Sequence, residues 1–430
     1  MSTRRKFLQE TAGGAVTALA GMSHTADAGP VAVGDRGFEG EAMPSSDLDS
    51  AIGSLYPFVK SQAVAGEFPL SFLQKEFADL AAWKRVARGK LLDLLHYAPP
   101  PCDPRAETVE RVDRGEYFQE RVHFNTTPDI RVPAFVLIPK KVLLPAPGIV
   151  ALHDHGGFYL WGKEKLVALD DEHPVLTDFK RELYAGRSIA SELARAGYVV
   201  IVIDMFYWGE RRMLLADDPS DWRERPRSIT KQRIEAFDRR SSEGEQLVGR
   251  TVFSAGFTWA GVMFWDDVRT VDYLLTRPEV DPRRIGCVGL SLGGVRSAHL
   301  AALDDRIKAA VVVGWMTSFP AQLKRRITNT IGHTKLVPGL YRYLDYPDVA
   351  SLAMPTPLLV INGSKDELFE PAGVRASFEK LAVCYQKAGV PERLRTRLYD
   401  APHEFNREMQ TEAWSWLEKH LGPGAGRRPD

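Results

Sequence analysis

The stretch that decides the fold is Ile285-Gly286-Cys287-Val288-Gly289-Leu290-Ser291-Leu292-Gly293-Gly294. Its first half is a short, nearly continuous apolar run, which is typical of a strand buried on both faces of a sheet. Residues 295–303 follow with apolar side chains at helical spacing. The pattern Gly-x-Ser-x-Gly therefore lies between a strand and a helix. Flanking glycines permit a sharp turn, so we expect the Ser291 hydroxyl to project at the helix start as a candidate nucleophile.

Similar segments continue on both sides of this stretch. Apolar strand-like runs are Gly148 to Leu152, Tyr198 to Ile203, Ala309 to Val313, Pro357 to Ile361 and Leu394 to Tyr399. Helical patterns are Leu73 to Leu94, Ile189 to Ala196, Val262 to Leu275, Val374 to Tyr385 and Phe405 to Leu417. Two alternating segments, 118–124 and 130–138, predict an antiparallel hairpin ahead of the β–α alternation. The chain is therefore predicted to form an α/β fold, with a mostly parallel central sheet led by an antiparallel hairpin and helices on both faces.

Candidate catalytic residues follow the later strands. Ligands in such a sheet bind outside the carboxyl ends of its strands. Asp366 comes just after the strand that ends at Ile361, and His403 comes just after the strand that ends at Tyr399. A serine hydroxyl needs a base and a group that orients the base. The order Ser291, Asp366, His403 supplies nucleophile, acid and base.

The loop after the first parallel strand is His153-Asp154-His155-Gly156-Gly157-Phe158. Acyl transfer needs N–H donors for the developing oxyanion. We expect one donor to be the backbone N–H of Leu292. The second is expected from this loop, with Gly157 favoured over Gly156, because glycines let the backbone approach the substrate oxygen closely.

The same loop permits a second interpretation. His153 and His155 after a strand are also typical of metal-dependent hydrolases, although no further ligand follows another strand. Hydrogen bonding of these histidines within the loop is the favoured interpretation, and no metal or cofactor is expected.

These motifs resemble the α/β-hydrolase superfamily, and within it the dienelactone hydrolase and acetyl xylan esterase-like branch. The resemblance rests on the residues quoted above together with Asp204…Trp208-Gly209-Glu210-Arg211, Trp265-Asp266, Asp281-Pro282-Arg283-Arg284, Gly363-Ser364-Lys365-Asp366 and Pro402-His403-Glu404-Phe405. It covers roughly residues 70 to 421 and implies the α/β-hydrolase fold. Dienelactone hydrolases proper use a cysteine nucleophile, whereas here serine holds the turn and Cys287 falls within the strand.

The resemblance implies a serine esterase that acts on a small-molecule or carbohydrate ester, with acetyl or related esters of carbohydrates as the expected class. Phe158, Trp208 and Trp315 flank strand ends and are candidate substrate contacts, although core packing explains such aromatics equally well. The alternatives are a peptidase-like serine hydrolase, a metal-dependent hydrolase using His153 and His155, and a non-catalytic protein of the same fold. Long connections at 205–257 and 314–354 are expected to shape the binding site.

The N-terminus resembles a twin-arginine export signal. Arg4-Arg5 precede a weakly apolar stretch and the small-x-small site Ala26-Asp27-Ala28. We therefore expect a signal peptide at 1–28, a linker at 29–54, a catalytic domain with an N-terminal helical extension at 55–421, and a flexible tail at 422–430. The expected partner during export is the Tat translocon, and the expected location is the periplasm or the exterior of the cell.

Composition agrees with a globular enzyme. The chain has 430 residues, of which 44% are hydrophobic and 26% charged, and its 56 basic and 56 acidic residues cancel. Such a chain has no net charge to attract nucleic acid or an acidic membrane, so neither is expected as a partner. The apolar stretch near the N-terminus is too short for stable membrane insertion. Three widely spaced cysteines exclude a disulfide scaffold.

Overall fold

The strand that ends next to Ser291 lies near the centre of a nine-stranded sheet. The computed structural model describes residues 49–422, apart from the side chains of residues 328 and 329. The strands are β1 (Glu107–Asp113), β2 (Tyr117–Thr127), β3 (Ile130–Pro139), β4 (Ala146–Leu152), β5 (Val199–Ile203), β6 (Val280–Leu290), β7 (Ile307–Val313), β8 (Leu358–Gly363) and β9 (Leu394–Tyr399).

Helices of very different lengths connect these strands. They are α1 (Tyr56–Gln62), α2 (Leu80–Leu95), α3 (Pro174–Tyr184), α4 (Ile189–Arg195), α5 (Ser220–Glu224), α6 (Lys231–Ser254), α7 (Trp259–Leu274), α8 (Leu292–Leu303), α9 (Phe319–Gln322), α10 (Ile327–Thr330), α11 (Tyr346–Ser351), α12 (Pro371–Lys387) and α13 (Arg407–Leu421). Short 3-10 helices lie at Gly53–Leu55, Lys163–Lys165, Gly209–Arg211, Leu340–Arg342 and Pro391–Arg393.

The strand order is β1-β2-β3-β5-β4-β6-β7-β8-β9. The first three junctions in this order are antiparallel, and the remaining five are parallel. The predicted fold class, a mostly parallel sheet led by an antiparallel hairpin, is confirmed. Because the parallel strands share one direction, the chain segments that leave β4, β6, β7, β8 and β9 emerge at the same edge of the sheet.

Each face of the sheet is covered by helices, and the side chains of one strand alternate between two cores. In β4, Val150 and Leu152 belong to the core under α2, α7 and α8, whereas Ile149 and Ala151 belong to the core under α4 and α13. All four side chains are essentially inaccessible to solvent. Burial on both faces is the reason that these strands appear in the sequence as unbroken apolar runs.

Several elements differ from the sequence prediction, among them the start of one helix, an edge strand and a long helix. The helix predicted from Leu73 begins only at Leu80, because the Asp79 side chain accepts the Ala82 N–H at 2.7 Å and so caps the helix there. Strand β1 was not predicted, because it is an exposed edge strand without an apolar run. The 24-residue helix α6 was not predicted within the long connection 205–257.

The predicted signal peptide, residues 29–48 of the predicted linker, and the tail beyond residue 422 lie outside the described residues. Among residues 49–422, none of the helices has the length and apolar character needed to cross a bilayer.

Candidate active site

Ser291 lies at the turn between β6 and α8 in a backbone conformation that is unusual for a residue with a side chain. Its φ is 58° and its ψ is −119°. The Ser291 N–H donates to the Val313 carbonyl at 2.8 Å, which ties the turn to β7. Strain of this kind persists only where the surrounding structure enforces it, and it is concentrated at functional sites. Leu292 is the first residue of α8, so its N–H has no partner within the helix.

Glycine at position 293 is required by packing. A Cβ atom at Gly293 would overlap the Leu152 carbonyl oxygen of β4, and one at Gly294 would lie 2.6 Å from the Val313 carbonyl oxygen of β7. Helix α8 therefore rests directly on the backbone of the neighbouring strands. This close approach fixes the position of Ser291 at the carboxyl edge of the sheet.

Asp366 and His403 are brought together from two successive strand ends. His403 Nδ1 lies 2.6 Å from Asp366 Oδ2. The Asp366 side chain is 1% exposed and that of His403 is 22% exposed, so the ring is accessible while its partner is not. The Lys365 N–H donates to the Ala401 carbonyl at 3.0 Å, which holds the two loops side by side.

Ser291 and His403 line the same cavity, which has a volume of about 440 Å³. Its wall also includes the loop from Asp154 to Gly157, α3 at one side and Trp315 at another. Within the described residues the Ser291 hydroxyl forms no hydrogen bond, and neither does His403 Nε2. Hydrogen bonds between catalytic groups often close only when substrate binds.

The loop after β4 lies opposite Ser291 and contains both predicted glycines. Gly156 and Gly157 have φ values of 58° and 63°. The Gly157 N–H donates to His155 Nδ1 at 3.0 Å, whereas the Gly156 N–H has no hydrogen bond to any described residue. The amide favoured by the sequence argument is therefore engaged within its own loop.

Helix α6 holds this loop in place through two carboxylates. Glu245 Oε1 lies 2.7 Å from His155 Nε2 and accepts the Tyr159 hydroxyl at 3.0 Å. One face of the same helix also presents Asp238, which accepts the Tyr159 N–H at 2.8 Å. Burial opposes ionisation of Glu245, but the hydrogen bonds from His155 and Tyr159 outweigh it and lower the pKa of the carboxyl.

The structure does not support the metal interpretation of this loop. His153 is buried, with Nδ1 2.8 Å from the Asp154 carbonyl and Nε2 accepting the Met205 N–H at 3.3 Å. Since the ring nitrogens of His155 contact Glu245 and Gly157, neither histidine has a nitrogen left for a metal. Burial, followed by the charges of nearby cationic side chains, lowers the pKa of His153 and keeps that ring neutral.

A separate group of three carboxylates within residues 49–422 has the spacing of metal ligands. It consists of Glu164, Asp204 and Glu210. The Lys163 ammonium already lies among them, 2.7 Å from oxygens of both Asp204 and Glu210. We interpret this group as a buried ion-pair cluster in the core.

The three predicted aromatic contacts lie in different surroundings. Trp315 lines the cavity. Phe158 stacks on Phe179 at 4.8 Å, and Trp208 stacks on Tyr159 at 4.9 Å. Phe158 and Trp208 are buried and do not line this cavity, so their contact with substrate stays a prediction. Phe158 and Trp208 pack against the loop after β4 on the side that faces the core.

Four charged or polar residues among those missed by the sequence argument line the cavity: Glu182, Glu245, Thr334 and Lys335. Glu245 lies on α6 within the connection 205–257, and Thr334 and Lys335 lie within the connection 314–354. Both connections were expected to shape the site. No local motif marks these residues, because their positions depend on how the two connections pack together.

Cys287 does not reach the cavity. It is buried within β6, and its thiol lies 3.6 Å from the Ser297 carbonyl. Burial raises the pKa of this thiol and opposes thiolate formation. The residue at the end of β6 that does line the cavity is Ser291.

A family model described as the dienelactone hydrolase family matches residues 182–413, which is more than half of the chain. The chain belongs to the dienelactone hydrolase family. A second model, described as an abhydrolase family, matches residues 47–222. The protein is accordingly a hydrolase of the dienelactone hydrolase type. A Bacillus subtilis protein described as "Putative hydrolase YtaP" is 26% identical over 334 residues, covering 78% of this chain and 98% of that protein.

Solved structures of carbohydrate esterases share this fold. One is a "putative acetyl xylan esterase" from Bacteroides fragilis, with a TM-score of 0.62, 18% identity, and coverage of 82% of this chain and 86% of that one. Another is a glucuronoyl esterase from Solibacter usitatus, with a TM-score of 0.56, 14% identity, and coverage of 83% and 99%. At these identities the likeness concerns the α/β-hydrolase fold.

Proposed function

We propose that the protein is a serine esterase that hydrolyses carboxylic esters of carbohydrates through an acyl-enzyme on Ser291. One observation carries the proposal. His403, which lies 2.6 Å from the buried Asp366 carboxylate, lines the same cavity as a serine held at φ 58° on a strand–helix turn. A nucleophile, a base and a group that orients the base are what acyl transfer through serine requires.

In the proposed first step, the Ser291 hydroxyl oxygen attacks the ester carbonyl carbon while His403 Nε2 takes the hydroxyl proton. Asp366 keeps the other ring proton on Nδ1 and stabilises the imidazolium that forms. Collapse of the tetrahedral intermediate breaks the bond to the alcohol oxygen, which receives the proton from His403. A water molecule, deprotonated by His403, then attacks the acyl carbon. The bond from that carbon to the Ser291 oxygen breaks, the oxygen takes the proton from His403, and the acid is released.

The negative charge of each tetrahedral intermediate requires N–H donors. The Leu292 N–H at the start of α8 is the first candidate, with the positive end of the helix dipole behind it. For the second donor, hydrogen bonding favours Gly156, because its amide has no partner among the described residues. Gly157 donates to His155 instead.

A carbohydrate ester is proposed as substrate for two reasons. The solved structures that share the fold include proteins described as acetyl xylan and glucuronoyl esterases. The cavity, at about 440 Å³, has the size of a site for a monosaccharide unit with its ester group, and Trp315 provides an aromatic wall for a sugar ring.

Substitution of the nucleophile tests this proposal. Ser291→Ala is expected to lower kcat for p-nitrophenyl acetate by about 10⁴-fold or more, with little change in melting temperature, because the hydroxyl supports no hydrogen bond in the fold. The matched control is Ser415→Ala on α13, whose exposed hydroxyl bonds only to Thr411 and whose loss should leave kcat unchanged. Retained turnover in Ser291→Ala would exclude the acyl-enzyme.

We further propose export by the twin-arginine route. The support is sequence alone: the pair Arg4-Arg5, the weakly apolar stretch and the Ala26-Asp27-Ala28 site. Replacement of both arginines by lysine is expected to leave the precursor in the cytoplasm, measured by cell fractionation. Normal processing and export of that variant would contradict this proposal.

A further inference from the structure

The chain segment 332–335 brings two hydrogen-bond donors without partners into the wall of the cavity. Thr334 is fully buried, and no described group bonds to its Oγ1 atom. Lys335 is half-buried and lines the same cavity. Its ammonium forms neither a hydrogen bond nor an ion pair with any residue between 49 and 422 whose side chain is described. A buried hydroxyl without a partner is costly, so Thr334 beside an ammonium that has no ion-pair partner indicates a missing acceptor.

Packing fixes this segment against helix α6. A Cβ atom at Gly249 of α6 would lie 2.6 Å from the ring of His333, so the helix and the segment touch at this point. The Lys335 ammonium lies 5.0 Å from the centre of the Trp315 ring, within range of a cation–π contact. One continuous part of the cavity wall is therefore formed by Thr334, Lys335 and Trp315.

The carboxylates that line the described part of the cavity do not form an ion pair with the Lys335 ammonium. Asp154 accepts hydrogen bonds from Tyr184 and from Lys165. Glu245 is engaged by His155 and Tyr159. Glu182 is exposed on α3 at the rim. Burial lowers the pKa of Lys335 to about 8, with the charge of Glu245 partly opposing that effect, so the ammonium form still dominates at neutral pH.

We propose that Lys335, Thr334 and Trp315 form a subsite for a carboxylate that the substrate carries in addition to its scissile ester. This inference rests on the proposed esterase function and narrows its substrate class to esters of acidic sugars. A single ammonium and a single hydroxyl donor match the one charge and two oxygens of a carboxylate. A phosphate dianion would bring a second charge, for which the described part of the cavity has no unpaired cation. Trp315 would contact the ring of the sugar.

A matched substrate pair tests the subsite. The acetylated methyl glycosides of glucuronic acid and of glucose differ by a carboxylate in place of a hydroxymethyl group. We expect the wild type to show a kcat/KM about tenfold higher for the acidic glycoside, which is the size of one partly buried charged hydrogen bond. Lys335→Met should remove this preference, so that the ratio of kcat/KM for the acidic glycoside to kcat/KM for the neutral glycoside falls to about one. Lys335→Arg should retain part of it, and Thr334→Val should reduce it severalfold.

Two controls separate the possible failures. Lys308→Met removes an exposed lysine at the opposite end of β7 and should not change the preference. Hydrolysis of p-nitrophenyl acetate by the wild type measures the esterase function by itself, so its absence would overturn the proposed function. Hydrolysis of that ester with equal kcat/KM for both glycosides, or with a preference that survives in both Lys335→Met and Thr334→Val, would overturn the subsite alone.

Discussion

The two sides of the cavity are held in place by different means. On one side, Ser291 is positioned by backbone packing: α8 rests on the carbonyl groups of β4 and β7, with glycine at the points of contact. On the other side, the loop after β4 is positioned by carboxylates of α6, a helix that is inserted between β5 and α7. The first arrangement consists of backbone contacts, from Gly293 to Leu152 and from Gly294 to Val313. The second consists of side-chain hydrogen bonds between residues about 80 to 90 positions apart.

This difference indicates which part of the site tolerates substitution. Backbone packing leaves no space for an added atom, so substitutions near Ser291 should lower the stability of the whole fold. The side-chain hydrogen bonds to the loop after β4 can be removed one at a time, so each such substitution should lower stability and activity by a smaller amount. The following substitutions break or sharpen this contrast.

The largest effect is expected from Gly293→Ala. Its Cβ atom would overlap the Leu152 carbonyl oxygen, so α8 and β4 would have to separate, at a cost of about 3 kcal/mol or more of unfolding free energy. Urea unfolding measures this loss. Gly89→Ala on α2 is the matched control, because nothing lies within 4 Å of its Cβ position, and a gain of about 0.5–1 kcal/mol is expected. Unchanged stability in Gly293→Ala would contradict the packing argument.

A smaller, stepwise effect is expected at Glu245. Glu245→Ala leaves the His155 ring and the Tyr159 hydroxyl without their shared acceptor, at a cost of about 1–3 kcal/mol of unfolding free energy. Because the released loop carries the proposed second oxyanion donor, kcat for p-nitrophenyl acetate should fall roughly 10- to 100-fold, with less change in KM. Glu245→Gln keeps one carbonyl acceptor, so its stability and its kcat should lie between those of the wild type and those of Glu245→Ala. An unaltered kcat in Glu245→Ala would show that the loop contributes nothing to the transition state.

The smallest effect is expected from Asp238→Asn, and it should depend on pH. Burial raises the pKa of Asp238 to about 6, so the folded state prefers the protonated carboxyl and the wild type loses stability as pH rises from about 4 through 6. Asparagine stays neutral and can still accept the Tyr159 N–H. The variant should therefore gain about 2 kcal/mol relative to the wild type between pH 4 and pH 8, measured by urea unfolding.

Asp221 provides the control of opposite sign. Hydrogen bonds from Arg233 lower the pKa of Asp221, so the stability that Asp221→Asn loses relative to the wild type should develop as pH rises toward about 4 and stay constant above that value. A stability difference for Asp238→Asn that is flat with pH would show that its carboxyl is not destabilised by burial.

The sequence located the Ser291 side of the cavity and the loop after β4, but it did not predict helix α6, which holds that loop. Buried parallel strands appear as unbroken apolar runs, so the strand ends that carry Ser291, Asp366 and His403 could be located. Helix α6 was not predicted because several of its inward positions are not apolar. Ser241 and Gly249 are buried in the core. Asp238 and Glu245 form hydrogen bonds with the loop after β4. Its contacts with the core therefore lack the apolar periodicity on which the prediction depended.

The sequence also did not indicate which side chains line the cavity. Phe158, Trp208 and Trp315 all follow strand ends, but only Trp315 lines the cavity, because the other two pack behind the loop. Thr334 and Lys335 lie in a segment without regular secondary structure, between α10 and the 3-10 helix at Leu340–Arg342. Their approach to the cavity depends on the contact between His333 and Gly249, which joins two distant connections.

The central claim is that Ser291 is a nucleophile activated by His403. Its most direct test is treatment of the purified protein with a fluorophosphonate, followed by mass spectrometry of its peptides. We expect one adduct on the peptide that contains Ser291, full loss of esterase activity at one equivalent of adduct, and much slower labelling in His403→Ala. An enzyme that keeps its esterase activity while Ser291 stays unmodified, or that is inactivated by an adduct at another residue, would contradict the claim.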